Sequence, residues 1–534
     1  MFRFHKTLLA SLAILAYALT FAAPRAAATG DEISFGVPYE YKTLNPLYMS
    51  GSDRIAIGTL VYSELFGATP DGELTPKVAA IVPSQQNGGI SGDGLTITYH
   101  LRHDVKWADG EPLTSRDVVF THEADMNPKN TVIETYGDKE IASISAPDPY
   151  TVVVHLKRKF SPFIEYFDRP LLPAHLLDKY ESLDKVDYNS HPTGSGPYQV
   201  GEWARGDHIN FVKSPTYWGR PAHIAKITLR TIPDANTLAL QLRSRGIDAA
   251  VFVDPSQEST LAGDPQLRLT KTVIPSFGLI IYNASSPILS DVRVRRAFAM
   301  SFNRAQIVDK ATQRFADAAH PERGLLGWGY DPSVKPVRFD QAGAKKLLDA
   351  AGWVPGPDGI RARGAQKLEL VLATNGNHPF IISEAEQIVQ QAREIGFLLD
   401  LKSYVDQQMF LLKPEGILWG GHFDLALTQF NGGGDPDPDW LIGCDASGKP
   451  NPYNFSHMCV PKLAPVLQDA VATFDRSQRK RDYVAVQRAI DEWLPVDLLY
   501  QSVFLGVVPK RLRNYVPSPY EFGAGYWNVT DWTY

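Results

Sequence analysis

No stretch limits the fold more tightly than Ser276–Arg304, SFGLIIYNASSPILSDVRVRRAFAMSFNR. Phe277, Leu279, Ile280, Ile281 and Tyr282 form a near-continuous apolar run that reads as a strand. The run breaks at Asn283–Pro287. The chain then restarts as a helix, with Asp291 placed to cap its N-terminus. Nothing in the stretch carries a catalytic pattern. Arg293, Arg295 and Arg296 read as the helix surface.

On either side the periodicity changes character. Glu32–Tyr39 reads as a first strand and Ile55–Phe66 as a helix. A β-rich unit follows, in which Leu95–Arg102 and Thr151–Lys157 alternate apolar with polar residues. Between those strands Thr114-x-x-Asp117 resembles a capping box opening a helix over Ser115–Met126. Residues 193–231 return to strands, and Asp234–Arg245 is helical with Gly246 as its stop. Beyond the opening stretch, helices at Gln341–Ala351, Glu384–Ile395 and Arg476–Trp493 alternate with strands at Leu368–Ala373, Leu398–Tyr404 and Asp424–Gln429. That alternation predicts an α/β lobe. The last forty residues turn aromatic and β-like again (Tyr500–Val508, Tyr520–Trp532) and are expected to return to the first lobe.

At 534 residues the chain is too long for one core. Arg3 and Lys6 precede an apolar run from Leu8 to Ala23, and Ala26-Ala27-Ala28 offers a small-residue cleavage site. This predicts a secretory signal peptide over 1–28, cleaved near Ala28, and export to the periplasm. The whole chain holds 53 Lys+Arg and 59 Asp+Glu. The first 28 residues take three of the basic residues and none of the acids, leaving 50 against 59 and a net charge of −9. An acidic exported chain argues against nucleic-acid binding. Its two cysteines, Cys444 and Cys459, lie close together, and in an oxidising compartment they are expected to form a disulfide. The rival arrangement, a metal site of His457, Met458 and Cys459, asks adjacent residues to converge on one ion.

Several enzyme signatures fail on inspection. Gly443–Lys449 has the spacing of a phosphate-binding loop, but Pro450 stands where Ser or Thr should hold the metal and would obstruct the helix. His122-Glu123 lacks the second His of a metalloprotease, and no G-x-S-x-G elbow occurs. His100 and His103 flank a strand end as solvated residues. Asp435-Pro-Asp437-Pro-Asp439 lacks the Gly and distant Glu of an EF-hand. It reads as a ligand-facing acidic turn, a plain surface turn or a metal site. No catalytic residue, cofactor or metal is expected.

From Asp104 onward the chain resembles a family. DVKWADGEPLTSRDVVF is similar to a segment of the family 5 extracellular solute-binding proteins, the peptide and nickel receptors of ABC importers. Further matching pieces run in order: TPDGELTPKVA, GDGLTITYHLRHDVKWADG, PTGSGPYQVGEW, SPTYWGRPAHIAKITLRTIPD, LALQLRSRGIDA, AKKLLDAAGW and YQSVFLGVVPKRLRNYVP. Together they cover nearly the whole mature chain. The resemblance implies an α/β, periplasmic-binding-protein-like fold: two lobes, a hinge and an extra β-rich subdomain. The expected division is lobe I at 29–70, 190–283 and 506–534, the subdomain at 71–189, and lobe II at 284–505. Asn283–Pro287 becomes one lobe crossing and Tyr500–Leu505 the return.

The resemblance also implies a peptide ligand held between the lobes, a membrane permease as partner and a monomeric receptor that closes on its ligand. In peptide-binding members an Asp on a second-lobe turn meets the peptide ammonium. Here FNGGGDPDPDW makes Asp435 the candidate, with Asp437 the alternative. Dipeptide receptors carry an Arg for the ligand carboxylate after the strand corresponding to Leu368–Ala373. This chain has TNGNHPF there, so Asn375 or His378 could hydrogen-bond a ligand without replacing a bidentate guanidinium. That favours longer or modified peptides or another cationic solute. Nickel chelates, opines and oligosaccharides remain alternatives, as does a secreted hydrolase. Tyr39 and Tyr41 are expected at the cleft or as ordinary packing, and Trp419 and Trp440 as cleft walls or core.

Overall fold

The computed structural model describes residues 31–534 apart from 50, 133–136, 313–314, 377, 446 and 522–523. The expected signal peptide and its cleavage site lie outside the described residues.

The strands that organise the molecule are, in chain order, β1 (Glu32–Val37), β2 (Thr96–His100), β3 (Ile141–Asp148), β4 (Thr151–Leu156), β5 (Tyr198–Ala204), β6 (His208–Lys213), β7 (Lys226–Thr231), β8 (Ala249–Val253), β9 (Leu267–Tyr282), β10 (Glu369–Asn375), β11 (Leu398–Tyr404), β12 (Leu425–Asn431) and β13 (Val496–Pro509). Lobe I is the series β5-β6-β7-β1-β8, in which β1 pairs in parallel with both β7 and β8. Lobe II is built on β11-β10-β12, all parallel. β2, β4 and β3 form the separate sheet of the subdomain, packed on a core that includes Tyr99, Trp107, Phe160 and Phe163. Its helix, Ser115–Met126, opens as the Thr114–Asp117 pattern predicts: the Asp117 carboxylate accepts the Thr114 N–H at 2.8 Å.

Two strands belong to both lobes. β9 runs 16 residues and β13 runs 14. Leu267–Val273 of β9 pairs with Val503–Pro509 of β13, whose Leu505 and Val507 also face β8 of lobe I. Farther along, Phe277–Ile281 pairs with Val496–Gln501, and Ser276–Tyr282 lies against β12 of lobe II. The ladder slips between Val273 and Phe277, where Pro275 has no N–H to offer. Side chains satisfy the groups left open there. Gln501 Nε2 donates to the Ile274 carbonyl at 3.0 Å, and Gln429 Nε2 donates to the hydroxyls of Ser276 (3.0 Å) and Ser502 (2.6 Å).

Between its two pairing regions β9 runs through Ile274–Ser276 inside the strand, and Asn283–Pro287 follows the end of that strand. That later break stays within lobe II, where Asn283 Nδ2 donates to the carbonyls of Gly421 and Phe423. On β13 the same slip lies between Gln501 and Val503.

Helix Val292–Met300 is capped as the sequence predicts, the Asp291 carboxylate accepting the Arg293 N–H at 2.9 Å. Arg295 departs from its surface reading. It is buried, and its guanidinium donates to the carbonyls of Leu289 (2.6 Å), Trp493 (2.5 Å) and Leu494 (3.1 Å). It thereby ties this helix to the end of helix Arg476–Trp493, where Leu494 turns left-handed. The terminal segment returns to lobe I, but Tyr520–Trp532 forms 3₁₀ turns (Pro519–Glu521, Tyr526–Asp531) instead of strands. Aromatic content misled the reading there, because burial of large rings needs no sheet: Trp532 packs on Phe35 at 5.6 Å and on Tyr515 at 5.2 Å between centroids.

Candidate functional site

In an open parallel sheet, ligands bind beyond the carboxyl ends of the strands, where the chain leaves the sheet with backbone groups unpaired. Both lobes present such an end toward the shared crossing. From lobe I come Tyr39, just after β1, and Phe252 on β8, whose φ of 56° is the left-handed region. Phe252 packs on Tyr39 at 5.8 Å and on Phe504 of the shared strand at 5.1 Å. From lobe II come Asn375, the last residue of β10, and the turn Gly432-Gly433-Gly434 after β12.

The turn meets the subdomain and the C-terminal segment. A Cβ built on Gly434 would stand 2.5 Å from Glu165 Oε2 and 3.5 Å from the Tyr520 ring. Beside the turn, Trp328 carries two guanidinium groups on its ring face, Arg476 at 4.6 Å and Arg479 at 5.2 Å. The subdomain and lobe II also touch directly: Ser161 N donates to the Val471 carbonyl at 2.7 Å, and Val471 joins the subdomain core.

Asp435 meets a guanidinium of its own lobe. Arg479 grips it bidentately at 2.6 and 2.7 Å, donates to Tyr483 Oη at 2.7 Å and to the Ala470 carbonyl at 2.7 Å. The carboxylate expected to meet a ligand ammonium is thus already neutralised, with the pair's side chains only 3% and 7% exposed. Asp437 is buried below the turn and accepts the Asp439 N–H at 3.0 Å. Burial first, then Asp439 and Asp435, push its carboxyl up to about 7.

Glu165 is different. Burial, with Asp435 adding repulsion, raises its carboxyl to about 8 despite the opposing pull of Arg479 and Arg476. Its side chain has no hydrogen-bond partner among the described residues, while its backbone N–H donates to the Pro162 carbonyl at 3.0 Å.

The other expected residues separate into near and far. Tyr39 is at the junction end of lobe I, half-buried against Tyr41 at 5.5 Å. Tyr41 itself is buried in the lobe I core. Asn375 is buried and donates through Nδ2 to Asp406 at 2.7 Å, while His378 faces the other oxygen of the same carboxylate at 3.2 Å. Trp440 packs edge-on against Phe430 of β12 at 5.5 Å, next to the turn. Trp419 lies elsewhere. It is 37% exposed and precedes Gly421, whose carbonyl binds Asn283 at the far end of β12. Seven residues of strand put it roughly 20 Å from the turn, so it is no wall of this junction.

Cys444 and Cys459 are joined as a disulfide. Glu165, Arg476 and Trp328 carried no sequence signal, because each reaches the junction from a separate segment. Among the described residues no cluster of His, Cys, Asp and Glu could hold a metal ion, and no helix is long and apolar enough to cross a membrane.

The family model for bacterial extracellular solute-binding proteins, family 5, matches residues 76–451. Protein XP55 of Streptomyces lividans is 28% identical over 470 residues, 86% of this chain and 81% of the relative. The oligopeptide-binding protein AppA of Bacillus subtilis is 25% identical over 519 residues, 92% and 90% of the two chains. The crystal structure of NikZ from Campylobacter jejuni, in complex with Ni(L-His), superposes with a TM-score of 0.77 at 26% identity, covering 95% of this chain and all of that one. With the match spanning most of the chain and the two-lobed architecture in place, this protein belongs to the family 5 bacterial extracellular solute-binding proteins.

Proposed function

We propose that this protein is the periplasmic receptor of an ABC importer, capturing peptides, oligopeptides or modified peptides, between its lobes and presenting the closed form to a membrane permease. The observation that supports this most directly is the junction itself. Two sets of parallel-strand carboxyl ends lead toward the stretch where β9 and β13 join them, with charged and aromatic side chains from several segments beside those ends. A ligand there would shift an open–closed equilibrium by its better fit to the closed form. Peptides suit the junction because Trp328, Tyr39, Phe252 and Phe504 give amphipathic surface, and Arg476 offers a guanidinium with no carboxylate bound to it among the described residues. The chain would act as a monomer, without catalysis and without nucleic acid.

The test is native mass spectrometry of the protein as purified, followed by incubation with a synthetic peptide pool. Stoichiometric retention of intact peptides is the expected result. Cleavage of the pool would instead indicate a hydrolase. A co-purified metal chelate, opine or oligosaccharide would keep the receptor role and replace the ligand class.

A further inference from the structure

The acidic turn after β12 offers carboxylates for a ligand's positive charge, yet the first of them is engaged by Arg479. A second carboxylate reaches the same point from the opposite wall. Glu165 sits in the short subdomain helix Phe163–Tyr166, directly against Gly434. Glycine matters here for room, since any larger residue at 434 would displace either the Glu165 carboxyl or the Tyr520 ring. The three consecutive glycines leave this part of the turn without side chains, so Glu165 meets bare lobe II backbone there.

The electrostatics agree with the geometry. The charged groups facing Glu165 are Asp435, Arg479 and Arg476 from lobe II, and the titratable group beside it from the C-terminal segment is Tyr520. Arg479 is saturated by Asp435 and Tyr483, and Arg476 is laid on Trp328. Neither forms an ion pair with Glu165 among the described residues, so its carboxyl stands without a directly paired cation. A buried carboxyl of this kind gains most from a cation, because the low dielectric that disfavours the lone charge strengthens the pair.

We infer that Glu165, and not Asp435, is the specificity-determining residue that receives the cationic group of the ligand, a peptide's terminal ammonium or an equivalent organic cation. This rests on the receptor reading above. Because Glu165 belongs to the subdomain and the turn to lobe II, a ligand bound to both would span the closing interface. Selection for positive charge and closure would then be the same event.

The test uses the full mature protein and a pool of synthetic tri- to hexapeptides, each supplied with a free and with an N-acetylated terminus, read by competitive retention and mass spectrometry. Wild type is expected to retain the free-amine members at least tenfold over their acetylated twins, and Glu165→Gln to reduce that ratio to near one with an unchanged unfolding midpoint. Asp435→Asn, compared at a temperature where it is folded, should keep the wild-type ratio. An unchanged ratio in Glu165→Gln, or a collapsed ratio in Asp435→Asn, overturns the assignment. Retention of neither form by wild type would sink the peptide reading itself, and retention of both forms equally would sink only the role given to Glu165.

Discussion

Breaking the Asp435–Arg479 pair should injure stability before it injures recognition. The pair is bidentate at 2.6 and 2.7 Å, almost fully out of water, and Arg479 makes two further hydrogen bonds, to Tyr483 and Ala470. Removing one partner of such a pair leaves the other charge buried and costs about 3–5 kcal/mol. Arg479→Met should reach the upper end, because it strands Asp435 beside Asp437 and Glu165, two carboxyls already held above their ordinary range.

The sign of the pH dependence follows. Asp437 and Glu165, whose carboxyls burial already raises to about 7 and about 8, stand beside the uncompensated charge, so the deficit of Arg479→Met should be larger at pH 8, where they ionise, than at pH 5. Urea unfolding followed by tryptophan fluorescence at pH 5 and pH 8 measures this. Asp435→Asn should cost about 3 kcal/mol, and the double variant should regain most of the loss, giving a coupling energy above about 2 kcal/mol. Free and acetylated peptides should suffer alike in the Asp435 variant. An Asp435→Asn protein as stable as wild type, with zero coupling, would refute the argument and return Asp435 to the ligand.

Three other outcomes are expected. Glu384 is 1% exposed and burial holds its carboxyl at about 8. Its stabilising protonated form is complete below the unfolded value near 4.5 and is lost as pH rises toward 8, so Glu384→Gln should flatten that decline and gain about 3 kcal/mol at pH 7, at 1.4 kcal/mol per pH unit. A parallel decline in both proteins would refute it. The Cys444–Cys459 bridge closes a loop of 15 residues, so the double Ser variant should lose about 3 kcal/mol, and an intact mass with two free thiols in exported protein would contradict the bridge. Gly278 packs face-on to the buried Tyr500 ring, leaving no space for a Cβ. Gly278→Ala should therefore destabilise lobe II by about 1–3 kcal/mol, read as a lowered unfolding midpoint, and an unchanged midpoint would show that the ring can yield.

The features legible in the sequence were those written in local periodicity. Helix Arg476–Trp493, strand Leu398–Tyr404 and the Asp291 cap follow from spacing alone. Helix Glu384–Ile395 was read too short because it begins at Pro379, which suits a first turn but reads in sequence as a break. The irregularity in the shared strand is illegible for a related reason. Asn283–Pro287 has the composition of a loop, whereas the slip at Ile274–Ser276 hides in an apolar strand and shows itself only in the pairing with β13. The candidate site was least legible. Asp435 was readable as an acidic turn, but its neutralisation depends on Arg479, 44 residues away. Glu165 lies still farther off, in an unrelated subdomain. Charge balance at a junction of three segments is a property of the fold, and no local pattern encodes it.

The two shared strands carry a mechanical consequence. Lobes joined by irregular loops swivel freely, but β9 and β13 keep their hydrogen-bond ladder on both sides of Pro275. Motion between the lobes must then be taken up as bending and twisting of a two-stranded ribbon, which resists like a leaf spring. Such a flexure permits one direction of travel and stiffens against the others, so the closure proposed above would reach the same shape from one ligand to the next. A permease reading that shape would need no contact with the cargo. It would register only that the spring had been held flexed.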